Sequence, residues 1–271
     1  MDKKVWIGGA VGLIVVLAAV MLLRGKKSDV QPVSGEVLSA KQLFVQAEEL
    51  KDKGEIVEAK QQFQRILSDY PDFTEIEKVQ KDLENLSMNL IFSNMEAPNK
   101  TVVYEVLTGD TLEKIAKKYG TTIELIKRSN NLNSDVIKIS QKLRIWTGKF
   151  NVFVDKSQNL LTLKDGEEIL KVYQVSTGAD NITPVGKFRI ESKMVDPVWF
   201  NKGVVVPPES PQNVLGSRWL GFDLKGYGIH GTIDPETIGQ QVTVGCVRMR
   251  NEEVEELFSI VPIGTEVVIV D

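Results

Sequence analysis

The 271-residue sequence predicts a multidomain chain: an N-terminal transmembrane helix, an α-helical hairpin region, a small βααβ module and a mainly-β C-terminal domain. Three observations carry that reading. Val5 to Leu23 is a 19-residue run without a charge. Between residues 36 and 97 apolar side chains recur at spacings of three and four, the helical period. Beyond Lys149, short β-branched and apolar runs alternate with turns rich in Gly, Asp and Pro. A net charge of -4 argues against a nucleic-acid binder, and a single cysteine excludes an internal disulfide.

The first element is bounded by Lys3 and Lys4 before it and by Arg24, Lys26 and Lys27 after it. A helix over residues 5–23 spans roughly 28 Å, about the hydrocarbon thickness of a bilayer. Trp6 falls where an interfacial aromatic belongs. The run is long, and no clear small-x-small cleavage site follows it, which favours a single-pass anchor in the cell membrane over a cleaved signal peptide. Basic residues on both flanks leave the orientation undecided by charge alone. Residues 24–35 mix charge, Pro and Gly and read as a linker.

In residues 36–97, Leu43, Ala47 and Leu50 form one apolar stripe, and Ile56, Ala59, Phe63 and Ile66 form the next after a break at Gly54. A third runs through Ile76, Val79, Leu83, Leu86 and Leu90. Thirteen acidic residues against seven basic ones place much of the chain's negative charge here. Gly54, Ala59, Phe63 and Pro71 resemble the turn, close contact and stop of one tetratricopeptide (TPR) repeat. A solenoid needs several stacked units, so the segment is read as a helical hairpin, a spacer or docking surface.

Residues 101–147 read strand, helix, helix, strand: Thr101–Leu107, Thr111–Tyr119, Thr122–Ser129 and Lys142–Trp146. Gly109-Asp110-Thr111 supplies a turn and a helix cap. Tyr104, Gly109-Asp110-Thr111-Leu112, Ile115-Ala116, Tyr119, Asn130-Asn131-Leu132, Ile137 and Gln141-Lys142-Leu143 together resemble a LysM domain. The resemblance implies binding of N-acetylglucosamine-containing glycan strands such as peptidoglycan, in a groove between residues 109–112 and 135–138. Gly109, Asp110, Thr111 and Ile137 are its candidate contacts, and Gly109 and Asp110 would build the turn in any case.

Residues 149–271 form the β-rich domain, with strands expected at Lys149–Val154, Leu160–Lys164, Glu168–Val175, Gly186–Glu191 and Thr265–Val270, and one helix at Asn251–Ser259. This domain holds the only histidine and the only cysteine of the chain, His230 and Cys246. A thiol becomes a good nucleophile when an imidazole takes its proton. Acyl transfer also needs amide donors for the oxyanion and a group that orients the ring. Taken singly, each residue would more often be structural than catalytic. Two such ligands cannot close a zinc site, so no metal is expected, and no organic cofactor is implied.

His230-Gly231, followed by Thr243, Gly245, Cys246, Val247 and Arg248, resembles the signature of the L,D-transpeptidase (YkuD) family. Val175-Ser176-Thr177-Gly178, Thr183 to Phe188 and Leu215-Gly216 extend the match. Many members carry a second histidine immediately before the Gly-Cys pair; Val244 stands there, as it does not in them. The resemblance implies a mainly-β enzyme outside the cytoplasm acting on peptidoglycan stem tetrapeptides. Cys246 would attack, His230 would act as base, and the Gly231 carbonyl would orient the ring. The amides of Gly245 and Cys246 would bind the oxyanion. Arg248 would bind a substrate carboxylate or brace the cysteine loop, with Tyr227 and Thr243 lining the site. Trp199 and Trp219 would flank the cleft or pack in the core, and core packing is the favoured reading for both. The acceptor would be an amine, giving 3→3 cross-links or protein attachment. Water as acceptor would make it an L,D-carboxypeptidase or amidase, and an inert domain would leave a wall-binding scaffold.

Overall fold

The computed structural model describes residues 38–201 and 203–271. The anchor at 5–23 and the linker at 24–35 lie outside the described residues. Among the described residues, no helix is long and apolar enough to cross a membrane.

The chain divides into two compact units, with the boundary after Leu90. The first contains α1 (Ala40–Asp52), α2 (Ile56–Asp69) and most of α3 (Ile76–Phe92). Ser39 and Gln42 close a reciprocal capping box that starts α1, and Gly54 at φ 77 turns the chain into α2. Leu43, Ala47, Ala59, Phe63, Ile66 and Val79 are wholly buried, the stripes read from spacing alone.

The second unit begins with the βααβ module: β1 (Thr101–Glu105), α4 (Leu112–Tyr119), α5 (Ile123–Ser129) and β2 (Lys142–Trp146). The two strands pair antiparallel from Thr101↔Trp146 to Glu105↔Lys142. Thr111 and Thr122 are N-caps just outside the helices rather than members of them, each accepting from a backbone amide three residues on. Leu112, Ile115, Ala116, Ile126, Leu143 and Ile145 make the small core.

The C-terminal domain is built on an eight-stranded sheet in the order β13-β11-β10-β7-β14-β3-β4-β5. One half of it is β7 (Gly186–Val195), β14 (Glu266–Val270), β3 (Phe150–Asp155), β4 (Leu160–Asp165) and, at the edge, β5 (Glu168–Gln174). Strict alternation in β3 and β14 puts Val152, Val154, Val267 and Ile269 inside. β14 lies parallel to β3, and β7 antiparallel to β14. The site edge continues through β10 (Arg218–Phe222), β11 (Gly228–His230) and the two-residue β13 (Val247–Arg248). Two small pairs lie outside the sheet: β6 (Thr177–Gly178) with β12 (Gln241–Thr243), and β8 (Trp199–Asn201) with β9 (Val204–Val206). α6 (Asn251–Ile260) buries Val254, Leu257 and Phe258.

Candidate active site

The site is assembled where β11 and β13 run side by side. Their parallel register pairs Ile229 with Val247 and His230 with Arg248. Register partners project to one face, and Cys246 stands in the bend just ahead of β13, where the Arg248 charge acts on it as well as on His230. Across the sheet the same row continues from His230 to Trp219 on β10 and Met194 on β7. A local strand pairing therefore converts a 16-residue separation in sequence into a common place around Arg248.

His230 and Cys246 are both nearly buried, 4% and 8% exposed. His230 Nδ1 lies 2.6 Å from the carbonyl oxygen of Gly231. A carbonyl only accepts, so Nδ1 carries the ring proton and Nε2 keeps its lone pair. Burial pushes the imidazole down to about 4; the Gly231 and Leu215 carbonyls oppose this, and the Arg248 charge adds to it. The indole of Trp219 stacks on the ring at 6.0 Å between centroids and 19° between planes. Gly228 makes room for that indole, since a Cβ there would lie 2.9 Å from Trp219 Cζ2.

The thiol of Cys246 donates to the Gly226 carbonyl at 3.6 Å, and among the described residues no hydrogen bond joins it to His230. Burial pushes the thiol up, while the Gly228 backbone and the Arg248 charge pull it down. Both shifts favour the neutral forms, a thiol and an imidazole suited to general-base transfer rather than to a stored ion pair.

The cysteine loop corrects two expectations. Thr243 does not line the site as a substrate ligand: its hydroxyl donates to the Cys246 carbonyl at 2.6 Å and accepts the Gly245 amide at 3.2 Å. That spends the Gly245 N–H, so it is not a free oxyanion donor, whereas the Cys246 amide has no protein partner among the described residues. Gly245 is needed for shape. Its φ is 118°, and a Cβ would sit 2.7 Å from Tyr227 Cε1, which packs against it.

Arg248 has both features weighed for it. Its backbone pairs with Ser176 in both directions at 2.8 Å, and Nη1 donates to Thr237 Oγ1 at 2.9 Å. Its Nε is buried without a partner among the described residues, a charged donor left for a ligand. Burial lowers its pKa, with Asp234 and Cys246 opposing. Trp219, expected in the core, is half-buried against His230 and belongs to the site. Trp199 is half-buried on β8, outside the main sheet. Sequence reasoning missed Thr237, Gly226 and Asn251, which reach the site through a hydroxyl, a backbone carbonyl and a side-chain amide that no spacing announces.

In the βααβ module, Asp110 accepts from Tyr104 Oη at 2.7 Å and from the Leu107 amide at 2.8 Å. The bond to Asp110 pushes the Tyr104 phenol up to about 12. Thr111 caps α4, Gly109 turns at φ 83, and Ile137 packs against the small core. All four candidate glycan contacts thus have structural duties, and Ile137 stays partly exposed while it packs on the core. The exposed apolar side chains of the two loops are instead Leu107, Val136 and Ile139.

A buried thiol and a ring-oriented imidazole gathered around one arginine, with a free amide at the cysteine, are the equipment of a cysteine acyl-transfer enzyme. Residues 149–269 match the L,D-transpeptidase catalytic domain (YkuD), and residues 104–146 match the LysM domain. The chain is 43% identical over 126 residues to the L,D-transpeptidase-type protein YqjB of Bacillus subtilis, covering 44% of this chain and 70% of that one. It is 32% identical over 174 residues to YkuD of Bacillus licheniformis, covering 61% of this chain and 97% of that one. YkuD of Bacillus subtilis gives 31% over 175 residues, covering 62% and 98%. The chain belongs to the L,D-transpeptidase family, its catalytic domain preceded by a LysM domain.

Proposed function

We propose that the chain transfers the acyl part of a peptidoglycan stem tetrapeptide through a thioester on Cys246 to an acceptor amine. The observation that carries this reading is that the β11–β13 pairing gathers buried His230 and buried Cys246 around Arg248, with His230 Nδ1 against the Gly231 carbonyl. When substrate enters, the sulfur swings from the Gly226 carbonyl toward Nε2, which takes its proton as the sulfur attacks the carbonyl between stem residues three and four. The Cys246 amide receives the oxyanion. The C–N bond breaks, D-alanine leaves with the proton from Nε2, and a thioester remains. His230 then removes a proton from the acceptor amine, whose nitrogen takes the acyl group as the thiol is regenerated. Arg248 Nε offers the substrate a charged donor.

The LysM domain supports glycan strands as the second binding partner, with Leu107, Val136 and Ile139 as apolar contacts beside the 109–112 turn. The uncharged run at 5–23 supports a cell-membrane anchor with the catalytic domain outside the cytoplasm. Extraction at alkaline pH tests that: the full chain should stay with the membrane, and release into the soluble fraction would remove the anchor.

The deciding assay incubates full-length protein with stem tetrapeptide and follows products by mass spectrometry. A cross-linked dimer is expected, with loss of one D-alanine per bond formed. Bare tripeptide alone would make the enzyme a hydrolase, and no product would leave a scaffold. Cys246→Ala should abolish turnover; retained turnover would remove the nucleophile assignment.

A further inference from the structure

We propose that Asn251 is the positioning residue that sets the tautomer of His230, by pinning the peptide group whose carbonyl faces the imidazole. This rests on His230 being the base. Asn251 is the first residue of α6, and its side chain points back beneath the His230 segment instead of capping its own helix. Oδ1 accepts the Thr232 amide at 3.0 Å, and Nδ2 donates to the Thr232 carbonyl at 2.8 Å. The same Oδ1 takes the Ser217 amide at 3.2 Å.

The Thr232 N–H and the Gly231 C=O belong to one peptide unit. Its N–H end is held by Asn251 and its C=O end lies 2.6 Å from His230 Nδ1. A planar peptide cannot turn one end without the other, so the side chain of Asn251 fixes where the carbonyl points. Hydrogen bonds in series also polarise one another, which makes that carbonyl a better acceptor for the ring N–H. The second carbonyl that favours the imidazole proton is that of Leu215, and Asn251 ties down the chain two residues beyond it, at Ser217.

The glycines confirm how close the approach is. A Cβ on Gly231 or on Gly216 would overlap Asn251 Oδ1. Gly216 also has φ 64, and its Cβ would run into the Gly231–Thr232 backbone. His230-Gly231, Leu215-Gly216 and Asn251 are therefore one constellation, three segments that meet only because an amide oxygen sits between two residues without side chains. Neighbouring bonds complete the frame: the His230 carbonyl accepts from the Met249 amide at 2.8 Å, and the Gly231 amide donates to Arg218 at 3.2 Å.

The chain's single histidine and single cysteine make the test direct. Full-length protein labelled with 15N-histidine gives one imidazole spectrum. In the wild type it should show the Nδ1–H tautomer with a slowly exchanging proton; an Nε2–H tautomer there would overturn the proposal without any variant. Asn251→Ala should yield a mixture of tautomers and lower kcat for stem tetrapeptide about 10- to 100-fold with KM little changed, the size of effect that orienting partners have on ligating or catalytic imidazoles. Asn251→Asp keeps an acceptor for both amides but loses the donor to the Thr232 carbonyl, so it should restore the Nδ1–H signal and part of kcat. A folded Asn251→Ala protein with the wild-type spectrum and kcat would overturn the proposal. Should both variants fail to fold, the wild-type spectrum decides. His230→Gln separates the two readings: if it still turns over substrate, the base assignment fails, and if it is dead while Asn251→Ala is unaffected, only the positioning role fails.

Discussion

At the scale of single residues, the protonation of two side chains sets the conditions under which this site works. Burial holds His230 at about 4, against an ordinary value of 6.5, and raises Cys246 above the ordinary thiol range. The sign follows directly. Lowering pH protonates the imidazole and removes the base, but only as pH falls through about 4, so kcat/KM for stem tetrapeptide should show no acid-side loss near 6.5. Raising pH ionises the thiol late, so alkylation of Cys246 by iodoacetamide should climb through the alkaline range with no plateau at neutral pH. A rate plateau near pH 6 would mean a stored thiolate and overturn the direction that burial sets. Thiolate nucleophilicity is instead produced during the reaction, when Nε2 meets the proton. Arg248 favours both deprotonated forms, and lies near enough to act on both groups.

At the scale of elements, the four-residue stretch from Thr243 to Cys246 is the critical piece. One hydroxyl ties its two ends, donating to the Cys246 carbonyl and accepting the Gly245 amide, in a buried place where neither group finds water. Thr243→Val keeps the shape and strands both groups, a cost on the order of 1–3 kcal/mol. A lower denaturant midpoint and a reduced kcat/KM are expected, with Thr243→Ser close to wild type in both. Equal behaviour of Val and Thr would show that the hydroxyl holds nothing. Such a role was invisible in the sequence, where Thr243 fits the family signature without saying which way its oxygen turns. Sequence pattern did reveal several elements: β14 and β3 by alternation, α6 by the acidic first turn that suits a helix start, β2 to the residue. It could not reveal β11 and β13, three and two residues long, because strands so short carry no period and exist only through a parallel partner far along the chain. Cysteine and histidine were readable because each is unique in the chain. Trp219 was legible only as the less favoured of two readings and Asn251 not at all, since aromatic and amide side chains are ordinary in a strand or at a helix start until the fold brings them against the His230 segment.

At the scale of the whole second unit, the LysM and catalytic domains are fastened together rather than strung on a linker. Thr122 serves twice: its oxygen accepts the Leu125 amide, capping α5, and its hydroxyl donates to the Ser259 carbonyl at 2.5 Å, at the end of α6. Lys193 on β7 donates to the Phe258 and Val261 carbonyls at 2.6 and 3.0 Å, where a cation suits a helix C-terminus. Burial takes that ammonium down to about 8, with Glu124 of α5 opposing. Lys100 reaches the nearly buried Asp165 at 2.7 Å at the other end of the junction. The LysM core is small, so much of its stability comes from this junction. Hydrogen exchange on the full chain should then give Ile115 and Ile126 nearly the protection of Val152 and Ile269. Thr122→Val removes both the cap and the cross-domain bond. It should lower protection of the LysM amides by at least tenfold while leaving the catalytic sheet unchanged, and Thr122→Ser should restore it. Equal protection loss in both domains would mean they open as one body. No loss at all would mean that the small core stands without its neighbour.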